Sequence, residues 1–299
     1  MKSPAGDARI IDRGYQHYDG VRLGPGNGFW VMLRAGMERG MGIRRPFRTK
    51  ILPWLLVLTA IAAVLISVGS HEANPAGAAA PPTYPQFLGS RAFGLLLALF
   101  AALVAPDLLC PDRRERVLTL YFAAPITRPH YALARLASLC GLLLGLTLVP
   151  PLLLFVSNAL FSDSAVGYVQ DHLPDLGHLV SAGLLMALFY GAIGCVVAGF
   201  SDRRAVATGS IIGVLLVTGF AGTVIGEGLT FAGHQWFVLL DLQELPARVV
   251  RWLFGLPPIA DSQALTPGTL ADWTYLMALA VITIVSVATL LWRYQRTEG

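Results

Sequence analysis

The densest run of charged side chains in this 299-residue chain is Asp112, Arg113, Arg114, Glu115 and Arg116, with Asp107 ahead of it and Arg128 and Arg135 behind. Carboxylates and guanidiniums this close together pair with one another or present a charged surface to a soluble partner. A second group, Asp171, His172, Asp175 and His178, has side chains of the kind that gather around a metal ion. No Cys accompanies it and Pro174 interrupts the helix, so a solvated polar loop is the better account and no metal centre is expected. A phosphate-cradling Walker A loop needs a Lys after a Gly-rich turn. The only lysines are Lys2 and Lys50, neither in that setting, so the chain is not expected to hydrolyse ATP or bind a cofactor itself. It also contains no HExxH, GxSxG or paired-carboxylate motif, and an enzyme working alone is disfavoured.

Membrane helices must position these residues. The chain is 55% hydrophobic and 13% charged, with a mean hydropathy of +0.61, more apolar surface than one soluble core of this length needs. Apolar runs long enough to cross about 30 Å of hydrocarbon occur at 51–69, 87–110, 131–157, 176–200, 205–225 and 272–292, which predicts six spans. The first begins after some 50 polar and basic residues, unlike a signal peptide, so the N-terminal segment is expected to stay on the protein. Nineteen of the 22 Lys and Arg residues flank these runs on one side. The opposite side has only Arg91, Arg248 and Arg251, so both termini are expected to be cytoplasmic. The net charge of +4 then reflects topology and contact with anionic lipid, not nucleic acid. Cys110, Cys140 and Cys195 fall within spans, which argues against a disulfide framework.

The chain divides into residues 1–50, a cytoplasmic tail with an amphipathic helix, and 51–299, the six-span domain. Residues 1–26 are rich in Gly and charge and show no helical period. From there Phe29, Trp30, Leu33, Met37 and Met41 fall on one helical face, opposite Arg34, Glu38, Arg39 and Arg45, which predicts a helix in the inner interface ending near Arg44. A plain anchor and a coupling element are both compatible with it. The loop after span one is stiffened by Pro75, Pro81, Pro82 and Pro85. Segment 227–272 is long and apolar for a loop, and two short helices broken at Pro246 fit it, with Trp236, Phe237, Trp252 and Phe254 at headgroup level. They suit either a lid or outer-leaflet packing. No fixed-period repeat or inverted pair of broken spans is evident, which lowers the odds of a secondary carrier.

Segment 106–135, between spans two and three, is too elaborate for a turn. Asp112 suits the cap of a helix whose first turn is DRRER, Leu118, Leu120 and Tyr121 supply an apolar face, and Pro125, Arg128 and Pro129 close it. Pro106, Asp107, Leu108, Asp112, Arg113, Arg114, Leu118, Leu120, Pro125, Ile126, Thr127, Arg128 and Tyr131 resemble, in order and spacing, a motif of the membrane subunits of type-2 ABC exporters (the ABC-2 permease superfamily). Arg135 replaces the motif's terminal Lys, and Arg116 and Val117 stand where the family has Gly-Thr. The motif covers some thirty residues, and the wider layout resembles the family over about 28–295.

The resemblance implies an all-α, polytopic fold with six transmembrane helices, an N-terminal interfacial elbow helix, a cytoplasmic coupling helix and short extracytoplasmic helices between spans five and six. It implies that Asp112, Arg113, Arg114, Glu115, Arg116, Leu118, Leu120, Pro125 and Arg128 couple to a separate cytoplasmic ABC ATPase, expected in two copies, which would bind the ATP and Mg. A second permease, identical or homologous, would complete the transporter in a prokaryotic plasma (inner) membrane. Asp107 and Arg135 are candidates for a salt bridge or gate, with Arg113 or an Arg of the elbow helix as other partners for Asp107. Arg203 and Arg204, in SDRR, suit positive-inside anchoring or a second ATPase contact. The alternatives are a membrane scaffold or assembly subunit without transport, and a secondary carrier.

Overall fold

The structure is a computed structural model, and it describes residues 25–43, 47–73, 83–115, 127–162, 164–226, 233–256 and 270–296. These residues form helices and no strand. They are α1 (Pro25–Gly40), α2 (Phe47–Ala73), α3 (Tyr84–Leu88), α4 (Arg91–Arg114), α5 (Arg128–Phe161), α6 (Ala165–Asp171), α7 (Leu173–Gly199), α8 (Arg204–Gly226), a 3-10 helix His234–Leu240, α9 (Glu244–Leu253) and α10 (Asp272–Gln295). Six of them, α2, α4, α5, α7, α8 and α10, are long and apolar enough to cross a membrane. The chain is a multi-pass membrane protein. The end at which α4, α7 and α10 finish, expected to be cytoplasmic, is called the inner end.

Helix α4 is the centre of the bundle, with 78% of its most apolar stretch buried, against 17% for α2 and α8. Small residues allow this. A methyl group on Gly194 of α7 would lie 3.3 Å from the Ala105 Cβ and 3.4 Å from the Ala101 Cβ of α4, so these backbones approach closely and gain van der Waals contact in place of a hydrophobic driving force. The peripheral helices turn Leu58, Leu65 and Ile66 (α2), Leu216, Val217 and Phe220 (α8), and Val281, Ile284 and Val285 (α10) outward, as a helix facing lipid does.

Local signals set several ends. Ser90 caps α4 by accepting the Phe93 N–H at 3.2 Å, and Pro129 and Pro174 occupy the first turns of α5 and α7, where a missing N–H costs nothing. Pro174 therefore opens a helix, and the break falls at His172. Two further expectations change. Segment 233–256 does not break at Pro246, which lies in the first turn of α9; the break is at 241–243. There the Asp241 carboxylate accepts the Gln243 and Glu244 N–H groups at 3.0 and 3.1 Å, capping α9 as Asp readily does. This turn rests against α8, where any Cβ on Gly222 would come within 2.7 Å of the Asp241 Cβ.

Helix α1 stops at Gly40, short of the expected Arg44. Its buried face is Met32, Gly36 and Gly40, with Phe29, Met37 and Met41 packed beside them, while Trp30 and Val31 face outward. The predicted apolar face is thus split. A Cβ on Gly36 would strike Ser138 and one on Gly40 would strike Leu142 of α5, and the Ser138 hydroxyl donates to the Leu33 carbonyl at 3.0 Å. One turn of α1 matches one turn of α5, so α1 runs beside the first half of α5 in the same direction.

Candidate functional site

The inner end of α4 holds the charged residues that the sequence singles out. Asp112 lies in the last turn of α4, which runs on to Arg114, and so does not cap a new helix. Its side chain is buried, 3% exposed. One carboxylate oxygen accepts from Arg39 of α1 at 2.6 Å. The other accepts from the Tyr131 hydroxyl at 2.9 Å and from Arg135, both of α5. Two cations and a phenol offset the desolvation of one carboxylate, the condition under which a buried charge is tolerated. The Tyr131 ring also carries the Arg135 guanidinium, 5.3 Å from its centroid, and lies 5.5 Å from the Tyr294 ring of α10. Arg128 donates to the Gln295 carbonyl at 2.9 Å.

A second set of contacts leaves α4 from its other side. Asp107, buried, pairs with Arg204 of α8 at 3.0 Å. Cys110 contacts the Ser201 carbonyl at 3.3 Å. Arg113 pairs with Asp202 at 3.1 Å and donates to the Gly199 carbonyl. The α7–α8 turn is thereby fastened to α4, and the Phe200 ring within that turn lies 5.6 Å under the Arg293 guanidinium of α10.

The structure thus brings Asp107, Asp112, Arg113 and Arg135 to one end of the bundle but pairs them differently from expectation: Arg135 serves Asp112, and Asp107 takes Arg204. Arg39, expected on the polar face of its helix, reaches inward to Asp112. Arg114 and Glu115 are exposed at the end of α4. Arg116, Leu118, Leu120 and Pro125, with the coupling helix expected there, lie outside the described residues, as do Arg44, Arg45 and the tail 1–24. Sequence reasoning missed Arg204 and Tyr294 as members of the site, and it expected an Arg of the N-terminal helix only as a partner of Asp107, whereas Arg39 pairs with Asp112. Arg204 had a signal, an Arg directly after a span, but helical spacing carries no information about which of two acids it meets.

A smaller ionic cluster closes the opposite end. Arg91, at the start of α4, bridges Asp241 at 3.1 Å and Glu244 at 2.7 Å. Arg248 pairs with Glu244 at 3.3 Å and donates to the Tyr275 hydroxyl of α10 at 3.0 Å. Burial pushes the Asp241 carboxyl above its ordinary value, opposed by the two capping N–H groups and by Arg91. Nearby, the Tyr84 hydroxyl of α3 donates to Asp175 of α7, and burial followed by that carboxylate raises the phenol. Asp171, His172, Asp175 and His178 form no metal-ligating group among the described residues; His172 stacks on Tyr168 with centroids 4.1 Å apart, and His178 meets the edge of Phe254 at 5.7 Å. Comparison with protein-family models and with curated proteins finds no match to this chain.

Proposed function

We propose that this chain is the membrane permease subunit of an ATP-driven exporter of the type-2 ABC kind. The observation that carries the reading is the arrangement around α4: residues of the resembling motif, Asp107, Asp112, Arg113, Tyr131 and Arg135, tie its inner end to α1, α5, the α7–α8 turn and α8 at once. The segment that follows α4 would dock on a separate cytoplasmic ATPase. Closure of two such ATPases on ATP would push that segment, and α4, bonded on both sides, would carry the displacement into the helices around it. Two permeases, with both termini cytoplasmic in the plasma membrane, would move a hydrophobic or amphiphilic cargo out of the cytoplasm or inner leaflet along their interface.

The test is gentle purification of the tagged chain from its native cells, with identification of co-eluting subunits and a nucleotide-hydrolysis assay. Arg114→Glu/Glu115→Arg, at two exposed positions, is compared with wild type. The expected outcome is an ATPase that co-elutes with wild type and is lost from the double variant. ATP-dependent movement of substrate in vesicles then separates an exporter from a scaffold. An intact protein with no ATPase partner in any preparation would overturn the reading.

A further inference from the structure

Three helices of the bundle can be measured from one point. A Cβ on Gly194 of α7 would lie 3.3 Å from Ala105 of α4 and 3.5 Å from Leu139 of α5. From that level toward the outer end, α5 runs 22 residues to Phe161, α7 runs 21 to Leu173, and α4 runs only 14 to Arg91. At the α-helical rise these are about 33, 32 and 21 Å. Helix α8 agrees. Arg204 pairs with Asp107 at 3.0 Å, and from there α8 continues for 22 residues to Gly226 while α4 continues for 16 to Arg91, about 33 against 24 Å. Arg203 and Arg204 fix that start of α8 at the inner edge of hydrocarbon about 30 Å thick. The outer end of α4 is therefore recessed within the outer leaflet.

The 3-10 helix and α9 fill the recess. The turn between them rests on the first turn of α4, where a Cβ on Gly94 would come within 3.2 Å of the Gln243 carbonyl oxygen. That carbonyl accepts from the Tyr190 hydroxyl of α7 at 3.4 Å, and the Gln243 side-chain amide donates to the Leu215 carbonyl of α8 at 3.4 Å. Leu215 is eleven residues from Arg204, about 17 Å, so Gln243 reaches toward mid-membrane. The turn thus lies deeper than the headgroup level expected for the aromatic residues on either side of it. Leu245, Val249 and Val250 of α9 join the main core. Arg91, the first residue of α4, holds Asp241 and Glu244 at 3.1 and 2.7 Å; these carboxylates are 4% and 9% exposed, whereas the Arg91 side chain is 50% exposed. Ionisable groups at membrane depth face protein or water, not lipid, so water reaches Arg91 from outside.

We propose that the 3-10 helix and α9 form a re-entrant plug seated inside the outer leaflet on the recessed end of α4, and that Arg91 is the latch that holds it there. An ion pair with one partner in water exchanges more readily than the buried Asp112 hub, so the outer seat is the one that releases. What would move the plug rests on the exporter reading, since a displacement of α4 driven from its inner end would reach Arg91. The seat itself does not depend on that reading.

The experiment places a thiol beneath the plug. Ala98, fully buried, lies one turn below Gly94 on the same face of α4. Full-length Ala98→Cys in right-side-out membrane vesicles is treated with a membrane-impermeant methanethiosulfonate, and modification at position 98 is read by peptide mass spectrometry. The native thiols are buried. Slow modification is expected in the parent and a rate at least tenfold higher once Arg91→Gln is added. A disulfide between Gly89→Cys and Arg251→Cys, whose side chains meet because a Cβ on Gly89 would lie 2.6 Å from the Arg251 Cγ, is expected to restore the slow rate until it is reduced. Equal rates with and without Arg91 would overturn the latch. A higher rate that the disulfide leaves unchanged would mean general loosening of the bundle, and would also overturn it. Should Arg91→Gln fail to fold, Glu244→Gln, which removes the nearer carboxylate, decides in the same way. Neither ATPase nor cargo enters the measurement, so its failure and that of the exporter reading are told apart.

Discussion

Removing the Asp112 carboxylate would take from Arg39 and Arg135 the buried anion they share and from the Tyr131 hydroxyl the bond it donates to it. Breaking one side of a buried ion pair costs about 3–5 kcal/mol, so Asp112→Ala is expected to lower the thermal midpoint in detergent sharply. Asp112→Asn, which keeps the shape and an acceptor, is expected to cost less. Equal midpoints for wild type and Asp112→Ala would remove Asp112 as the hub. The Asp107–Arg204 pair behaves differently because the Arg204 side chain is 45% exposed. Water screens such a partner, so the interaction energy in a double-mutant cycle of Asp107→Asn with Arg204→Gln is expected near 1 kcal/mol or below.

At the scale of the elements, glycines decide which helices can touch. A methyl on Gly191 of α7 would approach the Cys140 Sγ of α5 to 2.7 Å, whereas Gly209 of α8 has nothing within 4 Å of a built Cβ. Gly191→Ala is therefore expected to destabilise by about 1–3 kcal/mol through overpacking, and Gly209→Ala to be neutral or slightly stabilising through helix propensity. Thermal melts of the two variants check this, and a reversed order would mean that α5 and α7 do not pack as described. Docking of α9 carries a pH dependence. Burial raises the folded-state value of Asp241 above the ordinary carboxylate value. Its contribution to stability is thus fully present below the unfolded value and lost as pH rises through the folded one. The wild-type melting temperature is expected to fall over that interval more steeply than that of Asp241→Asn; equal slopes would argue against it.

For the whole molecule, all three thiols, Cys110, Cys140 and Cys195, are free and buried. A membrane-permeant maleimide is expected to label none in the folded protein and all three on unfolding, giving one cooperative transition on heating. Labelling at full stoichiometry before the transition would show that the helices around α4 do not form one closed core.

The six membrane helices were legible in the sequence because hydrocarbon imposes a one-dimensional requirement, length and apolarity, on each helix separately. Every expected span became a helix within a few residues of its predicted ends, though α4 starts at Arg91 instead of near 87 and runs on through Asp112 to Arg114. Also legible were the charged end of α4 and the presence of two short helices between the last two spans, though not where they break. The sequence did not show that α1 would bed along α5 on its glycines, nor that the helix break would follow Asp241 instead of Pro246. Nor did it show that Arg135 would meet Asp112 while Asp107 met Arg204. Each depends on which faces of separate helices come together, and that is a property of the packed bundle. Hydropathy acts residue by residue along the chain, whereas an ion pair across two helices needs a rotation and a depth for both, which only the tertiary structure supplies.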